Sequence, residues 1–150
     1  MMKRLLELKD APSIAVTTLS NLPVFLNAQE WNALKGCVTL LTPVELLTTV
    51  LSNEKYVTMS LVIPLIRGLQ HSLKATNPIT QTGQYLKTAL QEIISRRLGS
   101  FETNKIVANA TFLDPRFKKV GFGLEENANN SQKWATDELT QLISKKKSYC

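Results

Sequence analysis

The stretch ATFLDPRFKKVGF, residues 110–122, holds the densest mixture of charged and ring-bearing side chains in this sequence. Its charges are of mixed sign and belong to Asp114, Arg116, Lys118 and Lys119. Lysine and arginine side chains neutralise phosphate groups. One interpretation of the stretch is therefore contact with nucleic-acid phosphates through Arg116, Lys118 and Lys119.

The other interpretation is a structural joint between helices. Phe112, Leu113 and Phe117 would then anchor the segment to the core. Arg116 could pair with Asp114, or donate to carbonyl groups that the end of the preceding helix leaves without partners. The residue types favour the joint, but both interpretations stay open at this point. The motif residues of the candidate site are Leu113, Asp114, Pro115, Arg116, Phe117 and Lys118.

Other kinds of site find less support. Two cysteines and one histidine are too few for the four Cys or His ligands of a structural zinc site. The chain has no glycine-rich phosphate loop and no Gly-x-Ser-x-Gly nucleophile motif. We therefore expect no catalytic residue, no metal, no cofactor and no enzyme activity. His71 is expected to be partly exposed on a helix over residues 60–75, and Cys37 to be a small buried thiol.

The composition is that of one globular domain. The chain has 150 residues, of which 43% are hydrophobic and 20% charged. Apolar runs such as SLVIPLI, residues 60–66, are short for a membrane span, and the start lacks the apolar core of a secretory signal. We expect an intracellular protein with no membrane or small-molecule partner. The net charge of +6 is a weak hint of nucleic-acid contact, for which a surface of solvated lysines is the simpler explanation.

The first long helix is predicted by apolar residues at helical spacing over Trp31–Leu41. Asn27 precedes this run and Glu30 follows three residues later, which is the pattern of a capping box. Pro43 lacks the N–H group that a helix interior needs. The sequence therefore predicts a kink or restart there, with Thr42 as the new cap.

Further helices follow the same period. Ser60 is a candidate cap for a helix with an apolar stripe over Val62–Leu73, and the helix after it, Thr82–Leu98, would end at Gly99. NKIVANATFL, residues 104–113, should stop at Asp114, because the residue before a proline avoids the helical conformation. The inward residues of Thr82–Leu98 are expected to be Leu86, Leu90, Ile93 and Ile94.

The end of the chain is predicted as a loop at residues 121–132, rich in Gly and Asn, followed by a helix over 133–147. The apolar residues of that helix are Trp134, Leu139, Leu142 and Ile143. SIAVTTL, residues 13–19, is the best strand candidate, but it is short and has no obvious partner strand. The sequence therefore predicts an all-α fold of about six helices in one domain.

The LDPRFK block is similar to a motif of hAT-superfamily transposases and their domesticated relatives, the BED-type zinc-finger proteins. The resemblance extends to the order of other segments. RLLELKDA, residues 4–11, is followed over residues 26–73 by a Trp-containing helix, a Pro-containing helix and a Ser-x-x-x-Pro helix. The match covers roughly residues 1 to 140. The LDPRFK block is its most specific part.

The resemblance implies a helical insertion of an RNase H-like transposase core. Residues 1–120 would correspond to that insertion, and 133–147 would lead towards a dimerisation region. The finger and the dimerisation region would both be missing from this chain. Asp114 is not one of the family's catalytic carboxylates, and no residue can be assigned to that set. The resemblance thus implies a nuclear, non-catalytic fragment with a family-level role in DNA binding or transcription regulation.

A helical module that binds a protein partner or a second copy of itself is the alternative. Helices that once faced an RNase H sheet would leave apolar surface exposed, and such patches mark interaction sites.

Overall fold

A computed structural model describes residues 2–8, 26–52 and 59–147. These residues form six α-helices: α1 (Met2–Glu7), α2 (Ala28–Leu51), α3 (Val62–Ala75), α4 (Gln81–Leu98), α5 (Lys105–Leu113) and α6 (Glu125–Lys147). Short 3-10 helices lie at Met59–Leu61, Gly99–Thr103 and Lys118–Gly121. No strand occurs in the described ranges, so the all-α prediction is confirmed. The strand candidate at 13–19 lies outside them.

Local capping interactions begin several helices where the sequence predicts. The Asn27 side chain accepts from the Glu30 N–H at 2.9 Å, and the Glu30 carboxylate accepts from the Asn27 N–H at 2.7 Å. This is the predicted capping box. Thr80 caps α4 through the Gly83 N–H, and Asn104 caps α5. Leu61 occupies the N-cap position of α3 without a side-chain bond, so the prediction that Ser60 caps this helix is wrong.

The predicted restart at Pro43, with Thr42 as the new cap, is wrong. Helix α2 continues through the proline from Ala28 to Leu51, and the Thr42 hydroxyl donates back to the Val38 carbonyl at 2.7 Å. A proline inside a helix removes one hydrogen bond and crowds a carbonyl group. Tertiary packing offsets this cost, because α2 contributes side chains on both sides of Pro43 to the same core. These side chains are Leu40, Val44 and Leu47.

Helix α6 begins eight residues earlier than predicted, at Glu125, so the predicted loop is wrong over residues 125–132. Asn-rich segments favour loops because their side chains compete for backbone hydrogen bonds. Here two of the asparagines and Ser131 have tertiary partners instead. Asn127 donates to Glu102 at 2.9 Å, Asn129 accepts from Lys119 at 2.9 Å, and Ser131 donates to Asn109 at 3.1 Å.

Two apolar clusters hold the helices together. The first lies between α2, α3 and α4, with Leu40, Leu69, Leu73 and Ile94 buried. The second joins α3 to α5, and its buried members are Ile63, Val107 and Ala108, with Phe122 and Trp134 partly buried against them. Leu86 and Leu90 pack against the first cluster as expected, whereas Ile93 is 43% exposed and the prediction that it faces inward is wrong. His71 is exposed, and Cys37 is only half-buried rather than buried as predicted.

Helix α2 has the length and hydropathy of a membrane-spanning helix, which was not predicted from the sequence. It has 24 residues and reaches a mean hydropathy of 1.4 over an 18-residue window, so by length and composition it could cross a membrane. A core helix of a soluble protein passes the same test. Only 6% of that window is buried within the structure. This single helix is a weak indication and leads to no conclusion about localisation.

Candidate functional site at the turn that follows helix α5

Helix α5 ends where the sequence predicts. Asp114 has an extended backbone conformation, with φ of −72° and ψ of 117°, as expected for a residue before proline. Its carbonyl oxygen accepts from the N–H groups of Phe117 at 3.1 Å and Lys118 at 3.0 Å, which closes a turn. Lys118 has a φ of 46°, in the left-handed region that non-glycine residues seldom occupy. We call residues 114–121 the turn.

The carboxylate of Asp114 is bonded to the chain itself. Its Oδ1 accepts from the Arg116 backbone N–H and from Arg116 Nε, both at 3.0 Å, and its Oδ2 accepts from Arg116 Nη2 at 2.7 Å. The side-chain hydroxyl of Ser60 donates to the same carboxylate. The Asp114 side chain is only 12% exposed. The predicted pairing of Arg116 with Asp114 is therefore present, and it is bidentate.

These bonds set the charge state of the pair. The hydrogen bonds from the Arg116 side chain, then from Ser60 and from the Arg116 N–H, hold the pKa of Asp114 well below its usual range. The same carboxylate raises the pKa of Arg116 through its hydrogen bond and charge. A carboxylate that stays ionised and is occupied by donors is a poor proton acceptor. The geometry therefore favours a positioning role for Asp114 over catalysis.

A second connection links the end of α5 to the segment before α3. The buried Thr111 hydroxyl lies 3.2 Å from the Ser60 carbonyl oxygen and 3.1 Å from that of Val107, as a shared bond. Ser60 is itself buried, so it joins α5 and the turn through both its backbone and its side chain. Neither Ser60 nor Thr111 was predicted as a site residue from the sequence. Their hydrogen-bond partners are distant in sequence. The only feature of the sequence that pointed to Ser60 was the Ser-x-x-x-Pro segment of the hAT resemblance.

Gly121 allows the end of the turn to approach the helices closely. A Cβ at this position would lie 2.9 Å from Thr111 Cγ2, 3.0 Å from Phe117 Cβ and 3.4 Å from Pro64 Cγ. Real Cβ atoms essentially never come within 3.0 Å of such neighbours. A residue without a side chain is therefore required for this packing.

The cations of the turn differ in their surroundings. The Arg116 guanidinium carbon lies 5.1 Å from the centroid of the Phe117 ring, a cation–π contact, and the side chain is 58% exposed. Lys118 and Lys119 are both exposed, and Lys119 Nζ donates to Asn129 Oδ1 at 2.9 Å. Two lysines thus face solvent on the surface of a turn whose acidic residue is already paired.

The predicted anchors of the motif behave differently from one another. Phe112 and Phe117 are half-buried, but Leu113 is 64% exposed, so the prediction that it anchors the segment to the core is wrong. Helix α5 buries the face that carries Val107, Ala108 and Thr111, and Leu113 points away from that face. Pro115 is exposed.

A second polar cluster, which the sequence analysis did not identify, lies beside the turn. The Glu102 carboxylate accepts from the Gly123 N–H at 2.8 Å and from Asn127 Nδ2 at 2.9 Å, and it lies 3.9 Å from Arg67 Nε. Its side chain is 12% exposed. These contacts hold the chain between the turn and α6 in place. Among the residues that the structure describes, no group of three or more His, Cys, Asp or Glu could hold a metal ion.

The chain was compared with protein-family models, with curated proteins and with solved structures. None of the three comparisons found a match. The hAT resemblance therefore stays a hypothesis that rests on the motif and on the order of the segments.

Proposed function

We propose that this chain is a non-catalytic helical part of a hAT transposase-derived, BED zinc-finger-like nuclear protein, with a role in DNA binding or transcription regulation. The observation that carries this proposal is the engagement of Asp114 by Arg116 and Ser60. Asp114 and Arg116 belong to the LDPRFK block, and Ser60 begins the Ser-x-x-x-Pro segment. Two parts of the resemblance that are far apart in sequence thus meet at one set of hydrogen bonds.

The same geometry supports a joint as the role of the motif. Its acidic residue is occupied, its glycine packs against Thr111 and Phe117, and its arginine covers an aromatic ring. In this proposal the motif holds α5 and the segment before α3 in register. Contact with DNA would then come from the exposed lysines beside the joint, Lys118 and Lys119, and from other parts of the full-length protein.

The test is duplex-DNA binding by the purified chain at several salt concentrations. We expect binding that weakens steeply with salt, and a Lys118→Ala/Lys119→Ala variant whose salt slope is flatter by about two units, one for each lost phosphate contact. An Arg96→Ala/Arg97→Ala variant is the matched control, because it removes the same charge from exposed positions on α4. Equal losses in both variants would mean that only net charge matters. No DNA binding at low salt would overturn a DNA-contact role for this chain.

The alternative function, a helical protein-interaction module, is favoured by exposed apolar side chains on and near the turn. These are Ile106 (71% exposed), Leu113 (64%), Val120 (92%) and Leu124 (62%). Ile106 and Leu113 are two helical turns apart and share one face of α5. This alternative predicts association with a protein that persists at high salt, since burial of apolar surface is not screened.

A further inference from the structure

The segment that follows α4 exposes a serine behind two arginines. Arg96 and Arg97 lie in the last turn of α4, and Ser100 lies in the 3-10 helix Gly99–Thr103. All three residues are exposed. Neither arginine forms an ion pair with a carboxylate in the part of the chain that the structure describes. Two cations without an acidic partner in these ranges thus lie beside an accessible hydroxyl group.

The spacing of these residues occurs once in the chain. Arg97 precedes Ser100 by three positions, and no other arginine has a serine or threonine three residues after it. Protein kinases select their substrates by patterns of charge around the hydroxyl group. The planar guanidinium group of arginine fits the carboxylates of an enzyme in a bidentate manner. The pattern Arg-Arg-Leu-Gly-Ser-Phe, residues 96–101, therefore fits a kinase whose substrate cleft carries acidic side chains.

The surroundings of Ser100 leave room for an enzyme. A Cβ at Gly99 would meet nothing within 4 Å. The 3-10 helix Gly99–Thr103 has no buried residue. Such helices are short and have poor hydrogen-bond geometry, and segments of this kind open locally at a low free energy. Ser100 can therefore enter an enzyme cleft while the buried residues of the two apolar clusters stay in place.

The fold also offers partners for a phosphate group on this serine. Gly99 keeps helical backbone angles, with φ of −62° and ψ of −31°, so Ser100 continues the path of α4. Residues three and four positions apart on such a path are neighbours. Arg96 and Arg97 therefore lie one turn from Ser100, and arginine forms strong charge-assisted hydrogen bonds with phosphate. These bonds would offset the unfavourable negative charge at the C-terminal end of α4.

We propose that Ser100 is a phosphorylation site for a serine kinase that selects arginine three residues before its target, with ATP as the phosphate donor. The hydroxyl oxygen of Ser100 forms a bond to the γ-phosphorus of ATP. The bond from that phosphorus to the bridging oxygen breaks, so that ADP leaves, and the hydroxyl proton passes to a carboxylate base of the kinase. The net charge of the chain falls from +6 to about +4. The proposal does not depend on the proposed role in DNA binding, and the two are tested separately.

Phosphate incorporation into the folded chain tests the site. The chain is incubated with Mg²⁺, ATP and a purified kinase of this specificity, and fragment masses locate the phosphate. We expect phosphate at Ser100 in the wild type and none in a Ser100→Ala variant. Ser95→Ala is the matched control, because Ser95 is also exposed but has Glu92 rather than an arginine three residues before it. An unlabelled wild-type chain, or equal labelling of Ser100→Ala, would overturn the proposal.

The part played by Arg97 is tested by the initial rate of incorporation. Arg97→Ala should lower that rate at least about tenfold, because a charge-assisted contact with the kinase is lost. Arg97→Lys keeps the charge without the planar fork, so its rate should lie between those of Arg97→Ala and the wild type. Circular dichroism verifies that each variant keeps its helix content. Equal rates for Arg97→Ala and the wild type would show that this arginine does not select the site and would contradict the proposal.

Discussion

In the turn at residues 114–121, Asp114 and Arg116 are bonded to each other, and Asp114 is also bonded to Ser60 outside the turn. In the second half of α6, residues 136–147, which we call the arm, the apolar side chains of Leu139, Leu142 and Ile143 are exposed to solvent. Side-chain chemistry alone suggests the reverse, with charges outside and leucines inside. The difference shows that the position of a segment in the fold decides its role. The charged block is bonded through Asp114 to the rest of the fold, and the apolar stripe is exposed to solvent.

Among changes in the turn and the arm, the largest effect on folding is expected at the close contact that ends the turn. Gly121→Ala would place a Cβ 2.9 Å from Thr111 Cγ2, and overpacking of this kind costs about 1–3 kcal/mol of unfolding free energy. Gly99→Ala is the matched control, because a Cβ there meets nothing within 4 Å. That control should be neutral or stabilising by about 0.4–1 kcal/mol. Urea denaturation measures both, and equal stability of the two variants would show that the turn is loosely packed.

An intermediate effect is expected at the carboxylate. Asp114→Asn removes the charge that pairs with Arg116 and should lower the melting temperature at neutral pH. Because the folded state depresses the pKa of Asp114, the stabilisation by the ionised carboxylate is fully present above its ordinary pKa of about 3.9. It is lost progressively as the pH falls below that value towards the folded-state pKa.

The difference in melting temperature between wild type and Asp114→Asn should therefore be constant near neutrality and should shrink below about pH 4. Thermal melts of both proteins at a series of pH values measure it. A difference that does not change with pH would mean that the Asp114 charge does not contribute to the joint.

The smallest effect on folding is expected for the exposed leucines. Leu113→Ala and Leu142→Ala should each change the unfolding free energy by no more than about 0.5 kcal/mol in dilute solution, because both side chains are more than half exposed. Leu73→Ala is the contrast, since Leu73 is fully buried in the first cluster and its truncation should cost about 2–5 kcal/mol. If Leu142→Ala destabilises the protein as much as Leu73→Ala, the arm is packed rather than exposed.

A good part of the fold could be predicted from local signals. The capping box of Asn27 and Glu30 and the end of α5 at Asp114 depend only on residues within a few positions of each other. Helical periodicity likewise identified the buried positions Leu69 and Leu73. The pairing of Asp114 with Arg116 belongs to the same class, because the two residues are two positions apart.

The sequence by itself thus determined that the chain is helical and where several helices begin and end, because caps, prolines and helical periods act over one or two turns. Only the tertiary structure decided that α2 continues through Pro43 and that α6 begins at Glu125. It also decided that Ser60 bonds to Asp114 and that Leu113 stays exposed. In each of these cases the deciding partner is distant in sequence, and packing or hydrogen bonds with it outweigh the local preference.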